Sequence, residues 1–312
     1  MNKTAFVFPG QGAQYAGMGK EFYDNFKESK EIFQRANEAL GFDITKLCFE
    51  GPGEDLNITK ITQPALLTVC LAIYEVLKKT QNRPVVLGGL SLGEYSALTA
   101  AGAMDFETAV KLVYKRGNYM QNAVPVGEGG MVALMGCTDE DAIAFCQEVT
   151  NRFGLLEPAN FNCPGQIVAG GKSSAIESAL SQALQFNIKR AVRLQVSAPF
   201  HTSMLKPAAD RLKEDLCNIK FNKPISNVIS NVDTSYYETN ETIADKLEKQ
   251  VYNPVRWEAC VRKMIADGVN TFVEIGPGKT LTGFIKKIDK NVKSINIENI
   301  QGLNAYLQFE GA

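Results

Sequence analysis

The chain is poor in imidazole, in charge of one sign and in long apolar runs, and each shortage removes a class of function. A single histidine, His201, stands among 312 residues, so any mechanism that needs an imidazole must use that one. Seven cysteines (Cys48, Cys70, Cys137, Cys146, Cys163, Cys217, Cys260) are scattered, odd in number and never arranged as C-x-x-C, which argues against a disulfide framework and a zinc cage. With one imidazole and no clustered thiols, the nitrogen and sulfur ligand sets of transition metals cannot be assembled, so no metal and no cofactor are expected. The 33 Lys and Arg against 34 Asp and Glu give a net charge of −1, without the basic excess that duplex nucleic acid calls for. The longest apolar stretch, Ala65 to Leu77, is interrupted by Thr68 and Glu75 and falls short of the roughly 18 residues of a spanning helix, so it reads as a buried helix and no membrane partner is expected. Near the N-terminus the apolar run Ala5 to Phe8 stops at Pro9-Gly10, too short for a signal-peptide core, and a cytoplasmic location is expected.

What the chain does have is enough apolar residue, 45%, to build real cores, which excludes intrinsic disorder. At about 100–200 residues per domain its length suits one large domain, alone or with a smaller companion. Periodicity gives a strand Thr4 to Phe8, a glycine loop Pro9 to Gln14, and a helical segment from near Glu21. A helix from Pro64 to Lys79 carries a stripe of Leu66, Leu67, Cys70, Leu71, Tyr74 and Leu77. A buried strand, Pro84 to Gly88, then runs into a glycine-rich turn, followed by helices Leu92 to Ala101 and Phe106 to Ala123. After the glycine-rich linker Pro125 to Gly130 the order becomes strand Met131 to Met135, helix Asp139 to Asn151, strand Leu155 to Phe161, strand Gln166 to Gly170, helix Ser173 to Gln185 and strand Arg190 to Val196. That β-α-β-β-α-β order is ferredoxin-like. The remainder returns to α/β alternation: helix Met204 to Asn218, a strand around Val228, a helix through Trp257 to Asp267, strand Thr271 to Ile275, helix Thr280 to Lys290 and strand Val292 to Asn296. The expected organisation is a large α/β domain, 1–126 and 198–312, with a small domain, 127–197, inserted in it. Two lobes predict a cleft between them.

Gly89-Leu90-Ser91-Leu92-Gly93 is G-x-S-x-G, preceded by an apolar strand and followed by a helix, the context a nucleophile elbow requires. There the serine sits on a strained turn that leaves no room for side chains on either side, and the next N–H, Leu92, can face a developing oxyanion. Glycine and serine are common, and without those flanks the pattern would be a chance match. His201 lies in the loop Ser197-Ala198-Pro199-Phe200-His201-Thr202 between a strand and a helix. A lone histidine is more often structural than catalytic, but a serine nucleophile needs a general base and this chain offers one imidazole. Of the acids near loops between them, Asp105, Asp139 and Asp141, none follows an evident strand at the place expected for a third triad member. A dyad suffices if a backbone carbonyl orients the second imidazole nitrogen. Arg116 falls on the apolar stripe of Ala109, Val113 and Met120, where a guanidinium is costly unless an anion meets it. Snorkelling or an internal salt bridge would account for it equally well, but beside a serine nucleophile it points to a substrate bearing a carboxylate. Gln11, in the first glycine loop, can offer a second oxyanion N–H. Gly10-Gln11-Gly12 is not a dinucleotide fingerprint because Tyr15 stands where the third glycine is required, and no P-loop is present because Val273 and Gln166 stand where its first glycine is required.

Pro9-Gly10-Gln11-Gly12-Ala13-Gln14, Thr62-Gln63-Pro64-Ala65, Gly89-Leu90-Ser91-Leu92-Gly93-Glu94-Tyr95, Ala159-Asn160-Phe161-Asn162, Tyr252-Asn253-Pro254-Val255-Arg256-Trp257 and Glu274-Ile275-Gly276-Pro277-Gly278-Lys279 together resemble the malonyl-CoA:acyl carrier protein transacylases of fatty-acid synthesis, over nearly the whole chain and in the family's order. The resemblance implies an α/β-hydrolase-like large domain, a ferredoxin-like small domain, and malonyl-CoA and acyl carrier protein as partners. It implies that Ser91 carries the malonyl group as an ester with His201 as base, and that the backbones of Gln11 and Leu92 donate to the oxyanion. Arg116 would clamp the malonyl carboxylate and the main-chain carbonyl of Gln250 would orient His201. Gln63, Asn160 and Asn162 would line the cleft, and Phe200 would disfavour an α-methyl branch. Leu90 departs from the pattern, which more often has histidine before the serine. Three alternatives stay open: a serine hydrolase or thioesterase using the same elbow, an acyltransferase that supplies a polyketide synthase, and a carrier-binding module without catalysis. Lys189, Arg190, Lys286 and Lys287 are candidates to guide an acidic carrier protein, though ordinary solvated lysines are commoner.

Overall fold

A computed structural model describes residues 3–80, 83–196 and 198–310; Ser197, at the expected domain boundary, lies outside the described residues. Five parallel strands form the larger sheet: β1 (Thr4–Phe8), β2 (Val86–Gly89), β7 (Asn227–Val228), β8 (Thr271–Ile275) and β9 (Lys293–Ile297), in the order β7-β2-β1-β8-β9. Every residue of β1, β2 and β8 is buried, as parallel strands covered on both faces must be. Four strands, β3 (Gly129–Met135), β4 (Leu156–Cys163), β5 (Gln166–Lys172) and β6 (Arg190–Arg193), form an antiparallel sheet in the order β4-β5-β3-β6. Helices Asp139–Phe153 and Ser173–Gln182 complete the β-α-β-β-α-β unit. The fold class is therefore the expected one, an α/β-hydrolase-like parallel domain plus a ferredoxin-like antiparallel one.

The register sets the site. β1 pairs β2 with Phe8 opposite Gly89, so the loops that leave the carboxyl ends of both strands, Pro9 to Gln14 and Leu90-Ser91, emerge side by side. That edge is where open parallel sheets bind ligands. The antiparallel sheet joins the larger body through Phe161 and Val255, whose main chains pair at 2.9 Å (Phe161 N–H to Val255 O and Val255 N–H to Ala159 O).

Several elements differ from the sequence expectation for identifiable reasons. The helix expected from Pro64 starts at Thr59 and ends at Leu77, with Pro64 inside it. Proline there lies past the first turn, so the helix forgoes the bond an N–H at that position would make to the Lys60 carbonyl, and the burial of nearly every residue that follows offsets the loss. The 19-residue helix is long and apolar enough to cross a membrane, alone in that among the described residues, yet 83% of its apolar window is buried in the protein, so it is the central core helix. Strand β6 stops at Arg193, three residues short of Val196, where the chain bends toward the cleft. Helices Ile44–Glu50, Ile243–Tyr252 and Ile300–Glu310 were not anticipated; Ile243, Leu247 and Val251 form a readable i, i+4, i+8 stripe in the second of them.

Candidate active site

Two glycines make the turn after β2 possible. A Cβ on Gly89 would lie 2.0 Å from the carbonyl carbon of Gly93, and one on Gly93 would lie 2.1 Å from the carbonyl oxygen of Phe8. With no side chains there, helix Leu92–Ala100 packs directly onto the sheet edge and forces Ser91 to φ 53°, a conformation non-glycine residues rarely adopt. His201 is also held at a positive φ, 60°. Its loop is pinned from the small domain: Glu157 of β4 accepts from the Ser203 N–H at 2.7 Å and from the Ser203 hydroxyl at 3.0 Å.

The two side chains meet. His201 Nε2 lies 2.7 Å from Ser91 Oγ, and His201 Nδ1 lies 2.7 Å from the main-chain oxygen of Gln250. A carbonyl can only accept, so Nδ1 carries the proton and Nε2 presents its lone pair to the serine. Burial, and after it the nearby Arg116 guanidinium, lowers the imidazole from 6.5 to about 3, which keeps it neutral and able to take a proton. Gln250 sits in the last turn of helix Ile243–Tyr252, whose carbonyl end carries partial negative charge that steadies an imidazolium once formed. Asp105, Asp139 and Asp141 are used elsewhere, the first as the cap of helix Phe106–Gln121 and the other two in the first turn of helix Asp139–Phe153.

Arg116 is 1% exposed, in helix Phe106–Gln121. Its Nη1 donates to Gln63 Oε1 at 2.8 Å, and its Nη2 donates to Gln250 Oε1 at 3.0 Å and to Ser91 Oγ at 3.1 Å; the Tyr95 ring lies beneath it, 5.0 Å away. Both amide partners are neutral; the buried Glu94 carboxyl acts on the cation only at a distance, with Gln250 between them, so the guanidinium is anchored without touching a carboxylate. Among the described residues, neither the Leu92 nor the Gln11 N–H donates to any acceptor in the protein, and both residues line the cleft beside Ser91. The cleft, about 410 Å³, also takes in Gln63, Leu90, Met120, Asn160, Asn162, Phe200 and His201. The Asn162 Oδ1 is buried and unpartnered, while Asn160 pairs β4 to Val255 through its backbone. Leu90 packs partly into the core that lies between sheet and helix Trp257–Ala266. Gln250 contributes from behind the cleft rather than lining it. Of the four basic residues, all exposed, Lys287 reaches Gln166 on the cleft wall at 3.4 Å; no contact ties Lys189, Arg190 or Lys286 to the cleft.

Three residues that sequence reasoning missed complete the arrangement. Asn231 accepts the Ser91 N–H on Oδ1 at 2.7 Å and donates through Nδ2 to the Gly89 carbonyl at 2.9 Å, bracing the strained turn. Glu94, fully buried, accepts from the Asn231 N–H at 3.0 Å, from Gln250 Nε2 at 2.6 Å and from the Tyr237 hydroxyl. Burial pushes its carboxyl up to about 7 against those hydrogen bonds. A buried-looking acid in the first turn after the serine was the one available signal for Glu94; nothing local marks Asn231 or Tyr237.

Such a site can add a serine to an acyl carbonyl, hold the oxyanion with two main-chain donors, and bind a carboxylate close to the acyl carbon. Residues 5–304 match the acyl transferase domain family. The chain is 45% identical to the malonyl CoA-acyl carrier protein transacylase of Bacillus subtilis over 311 residues, 99% of this chain and 97% of that one. Its fold superposes with a TM-score of 0.94 on the crystal structure of malonyl CoA-acyl carrier protein transacylase from Clostridium perfringens, 48% identical and covering 98% of this chain and 96% of that one. A type II PKS acyl-carrier protein in complex with its malonyl-transacylase gives 0.95 at 40% identity, covering 98% of this chain and 99% of that one.

Proposed function

The chain belongs to the acyl transferase domain family, and from that premise we propose that it moves a malonyl group from malonyl-CoA to the phosphopantetheine thiol of acyl carrier protein, supplying the extender unit of fatty-acid synthesis. The observation that carries the site assignment is the buried Arg116 guanidinium, held by amides and touching no carboxylate, 3.1 Å from the oxygen of an activated serine. An acyl chain that begins on Ser91 Oγ and ends two carbons later in a carboxylate folds back onto that cation. A longer diacid overshoots it, and an acetyl group leaves a buried charge unpaired.

The reaction runs in two balanced halves. Ser91 Oγ attacks the thioester carbonyl and its proton passes to His201 Nε2, while the N–H groups of Gln11 and Leu92 hold the oxyanion. The carbon–sulfur bond breaks, and the coenzyme A thiolate leaves with the proton returned by His201. The carrier thiol then gives its proton to His201 and attacks the ester; the Ser91 oxygen leaves and is reprotonated. The Gln250 carbonyl keeps the imidazole in the tautomer both halves need. In this reading the catalytic side chains belong to a large domain, 1–126 and 198–312, and Asn160 and Asn162 of a small domain, 127–197, close the cleft over the acyl arm while Phe200 crowds an α-methyl branch. A cytoplasmic location goes with it, supported by seven free thiols, six of them buried.

Incubation with malonyl-CoA followed by intact-mass measurement tests the proposal. A malonyl adduct is expected that is lost in Ser91→Ala and discharges onto holo acyl carrier protein when that is added. Rapid release of free malonate would make the protein a hydrolase, and absence of any reaction would leave it a carrier-binding module.

A further inference from the structure

Behind the nucleophile lies a carboxylate to which the reaction above gives no part. Glu94 is fully buried in helix Leu92–Ala100 and touches neither Ser91 Oγ nor the cleft. A carboxylate taken out of water is costly unless donors surround it, and its three donors come from two segments: the Asn231 N–H and the Tyr237 hydroxyl from the loop after β7, and Gln250 Nε2 from helix Ile243–Tyr252. What each donor does with its other atoms is the point. Asn231 uses its side chain to brace Ser91 and Gly89. Gln250 uses its main-chain oxygen for His201 Nδ1 and its Oε1 for Arg116 Nη2, and its Nε2 also reaches the Ser91 carbonyl at 3.0 Å. An ionised carboxylate can only accept, so together with the Ser91 carbonyl it holds the NH2 of Gln250 inward and its oxygen toward the guanidinium, and at 2.6 Å it is the nearest and the only charged of the amide's acceptors.

We propose that Glu94 is a positioning residue for acyl-group selection: by fixing the amide of Gln250 it fixes Arg116, so that preference for malonyl over acetyl depends on a carboxylate that never meets the acyl group. This rests on the malonyl-transfer reading of the same site. Glu94→Gln keeps the size and an acceptor oxygen but removes the charge, so the bond that anchors the Gln250 amide is weakened to a neutral one.

The test compares kcat/KM for malonyl-CoA and acetyl-CoA at about pH 8, above the value of about 7 to which burial raises the carboxyl. In Glu94→Gln the malonyl-to-acetyl ratio falls about tenfold, the worth of one charge-assisted hydrogen bond, mainly through KM for malonyl-CoA. Placed in an Arg116→Ala background, the same substitution changes the ratio no further. Tyr237→Phe, which removes one donor to Glu94 and leaves the Gln250 contact in place, lowers the ratio less and in the same direction. A merely structural role would slow both acyl donors equally. Ratios within about twofold of the unaltered protein in both folded variants, or a further fall of the ratio in the Arg116→Ala background, would overturn the inference. Should the unaltered protein form no malonyl ester at all, the proposed function fails first and this inference with it; an intact ester with unchanged ratios fails this inference alone.

Discussion

The parallel and antiparallel sheets share one cleft but bury different things. Behind β1 and β2 the interior holds Arg116, Glu94, His201, Gln63, Gln250 and Asn231, tied together by hydrogen bonds of 2.6 to 3.1 Å. Between Gly129 and Arg193 the buried polar residues among those described are Asn160, Asn162 and Ser178, and the core is aliphatic and aromatic: Val132, Leu134, Phe145, Ile167, Ile176 and Ile188. A polar network in low dielectric is costly when any member goes unpaired, whereas an apolar core tolerates small losses. Function has been concentrated where tolerance is lowest, and the small domain supplies walls and the Glu157 brace on the base loop.

Breaking the tight side has the largest expected effect. Gly89→Ala puts a methyl group 2.0 Å from the backbone of Gly93, so the elbow must open; transfer activity is expected to vanish and unfolding free energy to fall by about 3 kcal/mol, read by denaturant titration. Wild-type activity in that variant would show the close approach to be dispensable.

The dyad itself gives a cleaner signal, because one histidine yields one imidazole resonance. Nitrogen-15 NMR is expected to find His201 neutral through pH 6.5 and titrating toward about 3. Its folded value is depressed, so the unfolded chain binds the extra proton and His201's share of stability, complete above 6.5, is lost as pH falls toward 3. Glu94 acts in the opposite sense: raised from 4.5 to about 7, it withdraws stability as pH rises through that interval. A His201 titration at the ordinary 6.5 would contradict the buried dyad.

The smallest effect is expected on the other side of the cleft. Thr138 caps helix Asp139–Phe153, accepting the Asp141 N–H at 3.1 Å while Asp141 accepts the Thr138 N–H at 3.3 Å. Thr138→Ala should cost about 1 kcal/mol of stability and leave the malonyl transfer rate unchanged. A fall in kcat there would mean the two sheets are more tightly coupled than their interiors indicate.

Sequence carried much of this because its strongest signals were local. The spacing of Gly89, Ser91 and Gly93 encodes a close approach of backbones, and Arg116 on an apolar stripe encodes a buried charge; alternation after Pro125 encodes the small sheet. Pro64 misled because proline marks the start of a helix more often than its second turn, which cost that helix its first five residues. Asn231, Tyr237 and the side chain of Gln250 were illegible for another reason: their partners lie 134 to 159 residues away, and polar residues look alike until the fold brings them to one carboxylate.

The central claim is that a buried guanidinium, anchored by amides and in contact with no carboxylate, selects the acyl group beside Ser91. Measuring kcat/KM for malonyl-CoA and acetyl-CoA with the unaltered protein and with Arg116→Ala tests it most directly. The account predicts that the malonyl preference collapses by about a hundredfold or more, with acetyl transfer gaining relative to malonyl; a preference unchanged by the loss of Arg116 would contradict it.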